Sequence, residues 1–127
     1  MRGLRELYVA ENQIKSLAGL ENVDSLEKLH LRGNQLKIID TMPELSKLTY
    51  LNLRENPLER FITLKMLAKN DNLPRLSYLN CLASPISDEK GEDFKKEVLM
   101  LIGAKMKFLK KINKDDVTKE DRAEAIQ

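Results

Sequence analysis

Leu26-Glu27-Lys28-Leu29-His30-Leu31-Arg32-Gly33-Asn34-Gln35-Leu36 spells L-x-x-L-x-L-x-x-N-x-L. Leu29 and Leu31 flank His30 at the two-residue period of a strand with one apolar face. The pattern occurs again on both sides. Upstream, Leu4 to Ile14 reads L-x-x-L-x-V-x-x-N-x-I through Leu7, Val9 and Asn12. Downstream, Leu48 to Leu58 repeats it through Leu51, Leu53 and Asn56. The asparagines stand at 12, 34 and 56, a constant step of 22. Three copies in register over eleven positions each are a repeat, not a coincidence of composition.

A degraded fourth copy follows, with Leu76, Leu79, Cys81, Ser84 and Ile86 in the same slots. The step from Asn56 to Ser84 is 28, so six residues are inserted. Within the insertion Phe61, Leu64, Leu67 and Ala68 recur at helical spacing, which predicts a short convex helix ending near Asn70, Asp71 and Asn72. Period and pattern together predict an α/β leucine-rich-repeat solenoid. A short parallel sheet would line its concave face, short helices and turns its convex face, and a carboxy-terminal cap would close it. The expected domains are 1–87 for four repeats starting near 4, 26, 48 and 76, then 88–114 for the cap and 115–127 for a polar helical tail.

Strand alternation sorts the residues. Leu7 and its equivalents face the core. Leu17, Leu20 and Val23, matched by Ile39, Met42 and Leu45, back it from the convex side. Asn12, Asn34 and Asn56 sit where each strand turns away; Asn tolerates unusual backbone angles and its amide bonds open backbone groups. They predict a structural asparagine ladder that Ser84 continues only weakly. The remaining strand positions form a concave surface in columns: Glu6, Lys28, Tyr50 and Tyr78; Tyr8, His30, Asn52 and Asn80; Ala10, Arg32, Arg54 and Leu82. Tyr and Arg are enriched in binding hot spots, so this face is the candidate protein-binding site.

The ends differ. Asp88 or Asp93 is the expected start of a cap helix carrying Phe94, Val98, Leu101 and Ile102, with Gly103 as its stop. Met106, Phe108, Leu109 and Ile112 are the expected last apolar cluster. Thr118 with Asp121 opens a further helix by side-chain capping. That helix is almost wholly polar, and it is expected to project from the domain. At the other end Leu4 stands three residues from Met1, with no cap before it. A partner, or further repeats, is therefore expected to cover Leu7, Val9, Ile14 and Leu17.

Composition excludes several classes. The net charge is +2 with 33% charged residues of mixed sign, which points to neither nucleic acid nor membrane as a partner. No stretch is apolar enough to span a bilayer. One Cys builds neither a disulfide framework nor a zinc site and suits a reducing, cytoplasmic setting. His30, the single His, reads as an exposed strand residue and Cys81 as a small core hydrophobe. No triad, phosphate-cradling glycine loop or metal-ligand spacing is present, so no catalytic residue, cofactor or metal is expected. The lysines between Lys105 and Lys114 are interrupted by apolar residues and read as a solvated face.

The 22-residue step resembles the repeats of Sds22-like phosphatase regulators and of axonemal dynein light chain. A narrower resemblance is carried by LRELYVAENQIKSLAGLENVDSLEKLHLRGNQL, LTYLNLRENPL, NLPRLSYLNCLASPISDE and INKDDVTKEDRAEA, whose Arg122-Ala123-Glu124-Ala125 is the most specific piece. These segments, covering nearly the whole chain, resemble the leucine-rich repeat-containing protein 23 family. That resemblance implies a non-catalytic scaffold, a structural subunit of an axonemal radial spoke, the third, in motile cilia and flagella. It implies radial spoke subunits as partners and the cytoskeleton of the cilium as the location. The alternative is a regulatory module of the phosphatase-regulator or dynein-light-chain type.

Overall fold

Each L-x-x-L-x-L segment forms a strand of three residues. The structure, a computed structural model, describes residues 3–126, so the outer limits of the expected first and last domains, at Met1, Arg2 and Gln127, lie outside the described residues. Strands β1 (Glu6–Tyr8), β2 (Lys28–His30), β3 (Tyr50–Asn52) and β4 (Tyr78–Asn80) pair in parallel and in strict order. Leu7, Leu29, Leu51 and Leu79 lie in one register row. The repeat step makes this arrangement: one full coil returns the chain to the next strand with the same side chain facing inward.

The core is a stack of leucines. Leu26, Leu36, Leu48, Leu53, Leu58 and Leu76 have no exposed surface. Each contributes about 1.5–3 kcal/mol by leaving water. Leu17, Val23, Ile39, Met42 and Leu45 close the core from the other side, while Leu20 is half-buried. Leu7 and Val9 of the first repeat are likewise only half-buried.

The insertion folds as a 3-10 helix, Phe61–Asp71, whose helical geometry breaks at Lys69 and Asn70. Leu64, Leu67 and Ala68 are buried in the core. Thr63 also belongs to this structure: its Oγ1 accepts a hydrogen bond from the Ile39 amide at 2.6 Å, satisfying a backbone group of the preceding coil. Asn72 Nδ2 donates to the Met42 carbonyl in the same way.

The cap departs from expectation in four places. Helix α1 (Pro85–Lys90) starts earlier than Asp88, because Ser84 caps it: its Oγ accepts from the Ser87 amide at 3.4 Å. Asp93 makes no capping bond at all. Helix α2 (Phe94–Val98) continues into a π turn, Leu99–Gly103, and ends there. Second, residues beyond the helix extend the sheet. Strand β5 (Lys111–Ile112) pairs parallel to β4, and β6 (Asp115–Asp116) turns back antiparallel on β5. The expected boundary between 114 and 115 falls inside this hairpin. Third, Phe108 does not join the final apolar cluster; it is 65% exposed, while Met106, Leu109 and Ile112 are buried.

Fourth, helix α3 (Lys119–Ile126) does not project from the domain. It packs against α2 and the π turn. Ala125 packs against the core, and polar contacts fix the helix there. The Arg122 guanidinium donates to the carbonyls of Gly103 (3.0 Å), Met106 (3.1 Å) and Leu109 (2.7 Å), groups that the ending helix and turn leave open. Asp121 pairs with Lys95 at 2.9 Å. Thr118 and Asp121 form the expected reciprocal cap, with Thr118 Oγ1 accepting from the Asp121 amide at 3.0 Å and Asp121 accepting from the Thr118 amide at 2.8 Å. Those contacts hold the Asp121 carboxyl below the usual carboxylate range, the Thr118 amide first.

Candidate protein-binding surface

The register brings the three concave columns together. Glu6, Lys28, Tyr50 and Tyr78 lie side by side, as do Tyr8, His30, Asn52 and Asn80. Lys111 continues the first column. Because alternate residues of a strand share a face, the side chains of both columns stand on the same side of the sheet.

An aromatic series crosses this face obliquely. The Tyr8 and His30 rings stack at 4.0 Å with 10° between their planes. His30 meets Tyr50 at 4.9 Å, and Tyr50 meets Tyr78 at 5.9 Å. Lys110 and Lys111 sit over the Tyr78 ring at 5.7 and 5.8 Å, within cation–π range. Strand spacing sets this order: neighbouring strands lie about 4.8 Å apart, a distance at which rings on adjacent strands touch.

The polar residues are partly tied down. Tyr8 donates its hydroxyl proton to Glu6 at 3.0 Å, which raises the tyrosine's proton affinity. Lys28 pairs with Glu6 at 3.5 Å and Arg32 with Glu55 at 2.6 Å. Glu55 was not legible as a member of this face, because it follows the strand; the Arg32 pairing places it there. Asn52 and Asn80 accept from the amides two residues on, Arg54 and Leu82, each at 2.9 Å. They are braced to the backbone. Among the described residues two polar side-chain atoms, His30 Nε2 and Arg54 Nε, are covered by neighbouring atoms and make no hydrogen bond. Desolvation between the flanking rings pushes the His30 pKa down, so at neutral pH the imidazole is uncharged.

The asparagines lie at the sheet's edge, beneath this face. Asn34 Nδ2 donates to the carbonyls of Val9 (3.0 Å) and Leu31 (2.9 Å), and its Oδ1 accepts from the Ile14 amide at 3.1 Å. Asn56 does the same one coil later, to Leu31 (2.9 Å) and Leu53 (3.0 Å) and from Leu36 (3.1 Å). Asn12 donates only to Val9 and Ala10 of its own coil. In the fourth repeat Ser84 donates to the Cys81 carbonyl of its own coil, and Asn113 of the hairpin accepts from the Cys81 amide at 2.6 Å. Asn113 escaped the sequence reading, since nothing in the spacing marks it as an equivalent of the others.

Cys81 is fully buried in a core slot, and burial pushes its thiol up to about 12. Among the described residues no group of three or more His, Cys, Asp and Glu could hold a metal ion. Among them, too, no helix is long and apolar enough to cross a membrane.

Residues 2–58 match the family described as leucine rich repeat. Among curated proteins none matches significantly in sequence. Among solved structures, a chain of the Drosophila melanogaster SNF/U2A′ complex aligns with a TM-score of 0.80 over 95% of this chain at 20% identity, and this chain spans 66% of that one. An internalin from Listeria monocytogenes aligns over 95% of this chain and 51% of its own, at 17% identity and a TM-score of only 0.33. Residues 2–58 thus carry a leucine-rich-repeat signature, and the described residues adopt a leucine-rich-repeat solenoid fold.

Proposed function

We propose that the chain is a non-catalytic protein-binding scaffold whose concave sheet face holds the partner. The observation that supports this most is the ordered aromatic series from Tyr8 to Tyr78. Rigid rings lose little entropy on binding. The solved chain that shares this fold belongs to the SNF/U2A′ complex, which supports a protein partner for this chain.

The finer reading is a structural subunit of an axonemal radial spoke, the third, with other spoke subunits as partners. It rests on the resemblance of the repeat order and of Arg122-Ala123-Glu124-Ala125 to that family. Two experiments test the levels separately. A triple variant, Tyr8→Ala with Tyr50→Ala and Arg54→Ala, is expected to lose partner recovery in a pull-down while keeping its circular dichroism; undiminished recovery removes the concave face. A tagged full chain is expected in isolated axonemes. A signal confined to nucleus or cytosol removes the spoke and favours a regulatory or nuclear scaffold.

A further inference from the structure

A second surface stands apart from the strands. Three adjoining grooves of about 380, 100 and 330 Å³ run along the junction of the inserted 3-10 helix, the π turn and α3. The middle groove shares Lys107 with the first and Ala68 and Lys105 with the third, and none of the lining residues belongs to a strand. Their apolar content is high for a surface. Met100 is 52% exposed, Phe108 65% and Ile126 85%, and Met66 and Leu101 are half-buried beside them. Apolar side chains gathered this way on a surface mark interaction sites.

The charge of the rim is one-sided. Lys65, Lys69, Lys105 and Lys107 are all exposed, and none forms an ion pair among the described residues. Among the described residues, Asp71 is the only acidic one lining the three grooves. The lysine run therefore does not act as one patch. Lys110 and Lys111 turn to Tyr78 on the concave face, whereas Lys105 and Lys107 rim these grooves.

We infer that this junction docks a linear acidic peptide segment bearing apolar side chains, on a face separate from the concave site. Charge complementarity carries the choice of occupant: four unpaired lysines meet carboxylates, and the recessed Met66, Leu101 and Ile102 receive the apolar residues between them. The recessed Met66, Leu101 and Ile102 between the lysines suit the side chains of a peptide, and the exposed Phe108 and Ile126 make an anionic bilayer the occupant that the vesicle arm of the test must exclude. The six inserted residues of the fourth repeat make the site, because they build the wall that carries Lys65 and Lys69.

The test uses the full chain and a fluorescein-labelled synthetic peptide in which Glu and Asp alternate with Leu and Phe, read by fluorescence anisotropy. Saturable binding that weakens with added salt is expected. Lys105→Glu with Lys107→Glu, and separately Lys65→Glu with Lys69→Glu, is expected to lower affinity about tenfold or more, from pairs worth up to about 1 kcal/mol each that turn repulsive. The single changes Lys105→Gln and Lys107→Gln, mild at exposed positions, are each expected to cost about two- to threefold. Tyr50→Ala with Arg54→Ala is expected to leave peptide affinity unchanged, which separates this site from the concave one. Four results overturn the inference: no binding of the peptide, equal binding of a peptide with Lys in place of its acidic residues, unchanged affinity in the lysine variants, or binding only to phosphatidylserine vesicles.

Discussion

Replacing the ladder asparagines one at a time by alanine should destabilise the chain by amounts that depend on position in the stack. Asn56 is 1% exposed and makes three hydrogen bonds of 2.9–3.1 Å, to the carbonyls of Leu31 and Leu53 and from the amide of Leu36. Alanine would leave the Leu53 carbonyl and the Leu36 N–H buried without partners, while the Leu31 carbonyl keeps its bond from Asn34. A buried group so orphaned costs about 1–3 kcal/mol, and relaxation recovers part of it, so Asn56→Ala should cost about 3–4 kcal/mol. Asn34 makes the same three bonds at 5% exposure, one coil nearer the first repeat, where Val9 and Ile14 are half-buried; about 2–3 kcal/mol is expected there. Asn12 is exposed and bonds only its own coil, so water can replace it, and Asn12→Ala should cost about 1 kcal/mol or less. Urea denaturation followed by far-ultraviolet circular dichroism measures the series. Equal losses at the three positions, or less than about 1 kcal/mol at Asn56, would refute the view that the ladder works by joining adjacent coils.

Three further outcomes are expected. Ala83 holds a left-handed φ of +57°, as do Glu11, Gly33 and Glu55 at the equivalent turns, so Ala83→Gly should stabilise the chain by about 1 kcal/mol; a lower urea midpoint would contradict it. Arg122→Met keeps the stem but removes the donors to Gly103, Met106 and Leu109; it should cost about 2 kcal/mol and strip hydrogen-exchange protection from α3 while the strands keep theirs, and retained protection in α3 would sink the clamp. His30, the only histidine, should titrate by NMR with a midpoint below 6.5. Between that midpoint and 6.5 the unfolded chain binds more protons, so stability should fall as pH drops through the window and be full above it; a midpoint above 6.5 would mean the imidazole is not desolvated by its neighbours.

What could be read from the residues alone was whatever repeats at a fixed local spacing. Leu29 and Leu31, two apart and recurring every 22, state which side of a strand is core and where the next strand lies. The concave columns follow from the same arithmetic, because parallel pairing in register adds nothing that the repeat does not already contain. Leu64, Leu67 and Ala68 announced the inserted helix by their period, and they are buried.

Tertiary structure decided the features that depend on groups far apart in the chain and carry no periodic signal. Helix α3 has only Ala123, Ala125 and Ile126 as apolar residues, too few for a hydrophobic pattern to predict that it docks; it is held where Arg122 meets carbonyls that the cap leaves open thirteen to nineteen residues earlier. Asn113 joins the ladder only because β5 lies against β4, and it lies there because the Lys110 and Lys111 amides reach the Ser77 carbonyl. The order of the rings, and the division of the lysine run between two faces, likewise wait on the fold. A strand's alternation is a local steric property and is written in the sequence. Which backbone groups remain unsatisfied, and which distant side chain reaches them, is set only when the coils have closed.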